Sequence, residues 1–83
     1  METHFVVQSY SHGQRGKLVA DTPFIAKDVA HARRTAERMA NSSPMVIAIV
    51  NTGDADTGDF EPPKLIFAYG DQLPPEVEEM EKA

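Results

Sequence analysis

A chain of 83 residues with no cysteine and a net charge of −5 excludes several kinds of protein at once. Disulfides, thiol nucleophiles and thiolate metal sites are ruled out, the length allows one domain, and the acidic total disfavours nucleic acid as the main partner because phosphates repel it. The longest apolar run, Met45–Val50, is far short of the ~20 residues a membrane helix needs, and Met1–Tyr10 lacks the basic and apolar regions of a secretory signal, so a cytoplasmic protein without membrane contact is expected.

His4–Tyr10 (HFVVQSY) is rich in β-branched and aromatic residues and predicts a strand. Ser11–Gly16 sets two glycines among polar residues and predicts a turn, with Lys17–Asp21 as the returning strand of a hairpin. Thr22-Pro23 breaks the ladder, since proline has no N–H to donate. Ala26–Ala40, alanine-rich and free of Gly and Pro, predicts a helix. Ile25, Val29, Ala32, Ala36, Met39 and Ala40 recur at helical spacing and form its expected buried stripe. Asp28 in the first turn and Arg38 in the last suit the helix dipole, and Asn41-Ser42-Ser43-Pro44 stops it.

Met45–Asn51 (MVIAIVN) predicts the strongest strand, apolar on both faces, and Leu65–Tyr69 (LIFAY) behaves similarly. The acidic stretch Thr52–Pro63 between them contains an echo, Thr52-Gly53-Asp54 and Thr57-Gly58-Asp59, which marks successive turns. Gly70 ends the last strand. Pro74-Pro75 then opens an acidic tail over residues 74–83, for which a short helix and disorder both stand open.

The expected fold is an α+β domain over residues 1–73, of order ββαββ: a four-stranded, mainly antiparallel sheet with one helix packed on one face. One helix shelters one face only, whereas the two late strands are apolar on both. The second cover must come from the tail, the long loop or another copy of the chain. A homodimer is the simplest of these, because symmetric dimers are the commonest oligomers.

Candidate chemistry is sparse. Asp54, Asp56 and Asp59 invite a calcium reading, since carboxylates at alternate positions can surround a hard cation. Counted from Asp54, however, an EF-hand wants Gly sixth and Glu twelfth, where this chain has Asp59 and Leu65. The stretch reads instead as a solvated hairpin connection. Gly13-Gln14-Arg15-Gly16-Lys17 has two residues between its glycines where a Walker loop has four, and Leu18 follows the lysine. It leads into a strand, so no helix N-terminus faces an anion, and it reads as a turn. His4, His12 and His31 match no metal-ligand spacing. His12 beside Ser9 and Ser11 gives no nucleophile–base–orienter set. No catalytic residue, metal or cofactor is expected.

Lys27, His31, Arg34 and Arg38 lie along one helical line opposite the apolar stripe. This basic stripe reads as a solvated outer face, or as an anion-docking surface for an acidic protein, a phosphate ligand or RNA. The tail glutamates Glu76, Glu78, Glu79 and Glu81 have the opposite sign and could lie against it, each exposed pair contributing about 0–1 kcal/mol.

The helix Ala30–Ala40 (AHARRTAERMA), the run Val46–Asp59 (VIAIVNTGDADTGD) and Leu65–Gly70 (LIFAYG) together resemble a group of short uncharacterised bacterial proteins known mainly from proteobacterial genomes. The likeness runs from Phe5 to Leu73, and the acidic tail past Pro75 lies outside it. It implies a free-standing cytoplasmic domain and transfers no catalytic residue. The expected function is a small non-catalytic interaction or binding module, self-associating as a homodimer or meeting another protein. The alternative is a binder of a small anionic ligand, or an accessory enzyme subunit, with Arg15, Lys17 and Arg33 as anion contacts. A weak nucleic-acid contact through the helix stripe ranks last, for want of an aromatic platform with basic neighbours.

Overall fold

Two long antiparallel strands form the middle of the sheet, β1 (Glu2–His12) and β4 (Met45–Asp54), in register from Glu2 opposite Gly53 to Tyr10 opposite Met45. The computed structural model describes residues 2–70 and 72–83, so Met1 and Asp71 lie outside the described residues. Each flank of this pair carries two short strands. On the β1 side, β2 (Leu18–Ala20) pairs with Tyr10–His12 and β3 (Phe24–Ala26) with Phe5–Val7. On the β4 side, β5 (Asp59–Phe60) pairs with Gly53 and Asp54, and β6 (Lys64–Gly70) with Met45–Val50. Every ladder is antiparallel.

The fold is therefore α+β, as expected, but with six strands and two helices, α1 (Val29–Ala40) and α2 (Pro75–Glu79), where four strands and one helix were expected. The extra strands arise where the chain is interrupted and then resumes pairing. Proline breaks the first flank at Thr22-Pro23, and Asp21 holds the gap closed. Its N–H donates to the Ser9 carbonyl at 3.0 Å, and its carboxylate accepts from the Ser11 hydroxyl at 2.8 and 2.9 Å and from the Ser9 hydroxyl at 3.3 Å. The Gln8 side-chain amide donates to the Asp21 carbonyl at 2.5 Å. On the other flank, Asp54–Asp59 folds into a tight hairpin, as its Asp and Gly residues predict. Gly58 takes the left-handed conformation there (φ +76°), and its N–H donates to the Asp54 carbonyl at 2.8 Å.

The helix starts later than predicted because Asp28 is its N-cap. The Asp28 carboxylate accepts from the His31 N–H at 2.7 Å, and His31 Nδ1 accepts in return from the Lys27 N–H at 3.1 Å. This is a variant of the capping box, with histidine at the third helical position returning its bond to the residue before the cap. Ile25 consequently leaves the predicted buried stripe. It stands in β3 opposite Val6 and is 58% exposed. Thr35 takes a buried place beside Ala32 and Ala36 instead. Asp28→Ala is expected to cost about 1 kcal/mol, read as a melting temperature lower by roughly 4–8 °C; an unchanged melting curve would show that the cap contributes nothing.

Alternation along β4 divides the core. Val46 and Ala48 face α1 and pack with Val7, Ala26, Ala32, Ala36 and Ile66. Alanines at this contact let helix and sheet approach closely. Met45 and Ile47 face the other way and pack with Val77 of α2. A β-bulge opposite Ala48 and Ile49 inserts Ile66, so that Ile66 and Phe67 both join the α1 side. The second face thus gains cover over β4 and β6 from the chain's own C-terminal segment. Val77 is only 6% exposed, and Glu81–Ala83 runs parallel to β6 at Leu65. There the Leu65 N–H donates to the Glu81 carbonyl and the Ala83 N–H to the Leu65 carbonyl, both at 2.8 Å. No helix among the described residues is long and apolar enough to cross a membrane.

Candidate functional site

The structure keeps Arg34 and Arg38 of the predicted basic stripe on α1 and sets Lys27 and His31 at its start. Lys27 precedes α1 rather than lying on it, and Lys27, Arg34 and Arg38 are exposed. His31 is half-buried: besides its capping bond, its ring meets Phe24 edge-on, with centroids 5.5 Å apart. Its polar and apolar faces are both used in holding the start of the helix. The tail glutamates do not reach the stripe, because α1 and α2 pack on opposite faces of the sheet. Among the described residues the one ion pair within 4.0 Å joins His4 Nε2 to Glu2, at 3.4 Å.

Arg15 and Lys17 are exposed at the β1–β2 turn, where Gln14–Gly16 forms a single 3-10 turn and Arg15 takes a positive φ of 59°. Arg33 lies elsewhere, in a groove of about 410 Å³ that it shares with Leu65–Ala68, Lys82 and Ala83. Neither Arg15 nor Lys17 lines that groove. Strand alternation separates Ser9 and Ser11 from His12, which points to the opposite face, and both serine hydroxyls are already committed to Asp21. Asp54 serves its own turn, with its carboxylate accepting from the Asp56 N–H at 2.9 Å. No group of three or more metal-capable side chains occurs among the described residues.

What remains is the second face of the sheet, beside α2. The registers align Ile25, Val6, Ile49 and Leu65 as direct cross-strand neighbours, a row running the full width of the sheet. Between α2 and β1 lies a groove of about 350 Å³, floored by Val6, Tyr10, Ile47 and Ile49 and walled by Val77 and Met80. Glu76 is its single charged lining residue. Farther along the same face Phe60 lies across Gly53, where a Cβ would collide with its ring, and the residue is 69% exposed. Sequence reasoning expected a second apolar face on the two late strands but not its extension across β1 and β3, because it assigned Ile25 to the helix. The available signal was the period-2 pattern Val6, Gln8, Tyr10 along β1. No protein-family model matches the chain, and no curated protein or solved structure matches it either.

Proposed function

We propose that the protein is a small non-catalytic interaction module that pairs with a second copy of itself through the open half of the second sheet face. The observation that carries this reading is the row Ile25–Val6–Ile49, apolar from the sheet edge to the groove and ending on a side chain 58% exposed. Fully burying an isoleucine is worth roughly 1.5–3 kcal/mol, and a face-to-face two-fold contact buries the same row on both copies. Small domains with limited cores gain stability by association. The non-catalytic part is supported by the commitments already described: Ser9 and Ser11 to Asp21, and His31 to the helix cap. A cysteine-free chain needs no oxidising compartment, which supports a cytoplasmic reading.

Sedimentation equilibrium tests the proposal. The wild-type chain is expected at twice the mass of one chain, and Ile25→Glu at the mass of one. Because Ile25 is exposed, the variant should keep the wild-type circular dichroism. A wild-type monomer at high protein concentration, or a dimer that Ile25→Glu leaves intact, would remove the second face from this role.

A further inference from the structure

We propose that the outer edge of β6 accepts an extended, acidic segment of a partner protein as an added strand. This goes beyond the pairing of two copies, which uses a face of the sheet and not its edge.

The backbone supports it first. β6 pairs with β4 on one side only, and among the described residues the other side is occupied at Leu65 alone. The Leu65 N–H and C=O both point away from β4, since both bond to Glu81–Ala83. Its partner Ile49 therefore turns its own polar groups toward β1, and alternation along β4 makes Ile47 do the same. Ala68, opposite Ile47, is thus left with its N–H and C=O directed outward. No strand among the described residues takes them up. Such an edge is a template for strand addition. Its competence is visible in the molecule itself, because three residues of extended chain already lie against it at Leu65.

Charge selects the occupant. The groove along Leu65–Ala68 is flanked by Arg33 from α1 and by Lys82. Neither forms an ion pair with a described residue within 4.0 Å. A strand laid beside Ala68 would bring its side chains between these two cations, where carboxylates are favoured and lysines repelled. Two copies joined edge to edge would instead set one cationic groove against another, which argues for a partner of different composition.

The test is fluorescence anisotropy with a labelled peptide of alternating valine and glutamate, about 6 residues long, the usual length of a strand, against a valine–lysine control. The acidic peptide should bind, weaken as salt rises, and lose about tenfold in affinity to Arg33→Glu, the loss of one favourable charged contact of ~1.4 kcal/mol. On binding, the Ala68 amide should gain protection from hydrogen exchange. Equal binding of the lysine peptide, unchanged affinity in Arg33→Glu, or binding without protection at Ala68 would each overturn the proposal. Ile25→Glu should leave peptide binding untouched, so failure of the edge and failure of the face are read separately.

Discussion

Gly70→Ala is expected to lose about 3 kcal/mol of stability, combining backbone strain with overpacking, and to melt roughly 12–24 °C lower than the wild type. Gly70 ends β6 at φ +134°, a region that essentially only glycine occupies. A Cβ there would sit 2.8 Å from Met45 Cγ, 2.9 Å from the Pro44 carbonyl oxygen and 3.0 Å from Met45 Cβ. Rotation about χ1 can move Met45 Cγ, but Met45 Cβ is fixed to the backbone, and the Pro44 carbonyl is itself backbone and sits where the chain enters β4. Relief therefore requires the Met45–Gly70 pairing to open, at the edge of the cluster that includes Met45, Ile47 and Val77. Gly16→Ala is the control. Gly16 also has a positive φ, +75°, but open space surrounds its would-be Cβ, so strain alone applies, about 1–2 kcal/mol. If Gly70→Ala melts no lower than Gly16→Ala, the contact with Pro44 carries no weight.

Val77→Asp is expected to detach α2 from the sheet. A helix of five residues has no independent stability in water, so it persists because Val77 is buried against Met45 and Ile47 and because Glu81–Ala83 is bonded to Leu65. Placing a carboxylate at that position removes the apolar contact, worth roughly 1.5–3 kcal/mol, and demands that a charge be left unpaired against Met45 and Ile47. The expected readouts are fast hydrogen exchange at the Val77 and Met80 amides, which are bonded to Pro74 and Val77 in the wild type, new binding of an apolar dye to the uncovered Met45 and Ile47, and retained exchange protection in α1. If α2 amides stay protected in Val77→Asp, the roof is held by something other than this side chain.

The sequence made the centre of the sheet legible because long strands and a long helix repeat their pattern enough times to be read. β1, β4, the hairpin turn and the body of α1 all fall in that class. Phe24–Ala26 does not: three residues after a proline carry no period, and the neighbouring helical pattern absorbed Ile25. The bulge at Ile66 leaves no mark in the sequence, because adding one apolar residue to an apolar run changes nothing visible. In the tail, Val77 and Met80 were the only apolar residues between Pro75 and Lys82, too few to announce a packed helix.

The candidate sites were less legible than the fold, since they depend on which face a residue takes. His31 was grouped with the cations, whereas its Nδ1 is an acceptor in the helix cap. Arg33 was grouped with Arg15 and Lys17, whereas topology sets it beside Lys82 and β6. The reading that laid the tail glutamates against the helix stripe fails for those on α2, because the sheet stands between α2 and α1.

That same separation puts unlike charges on the two helices, with Glu37 the one acidic residue within α1. Arg33, Arg34 and Arg38 stand on one side, and Glu76, Glu78 and Glu79 on the other. The formal charge of −5 conceals this polarity. A macroion within about 8 Å at physiological ionic strength would meet the two helices differently, a polyanion being repelled less by α1 than by α2. Which helix a charged partner meets first would then be biased by charge, ahead of any fit between side chains.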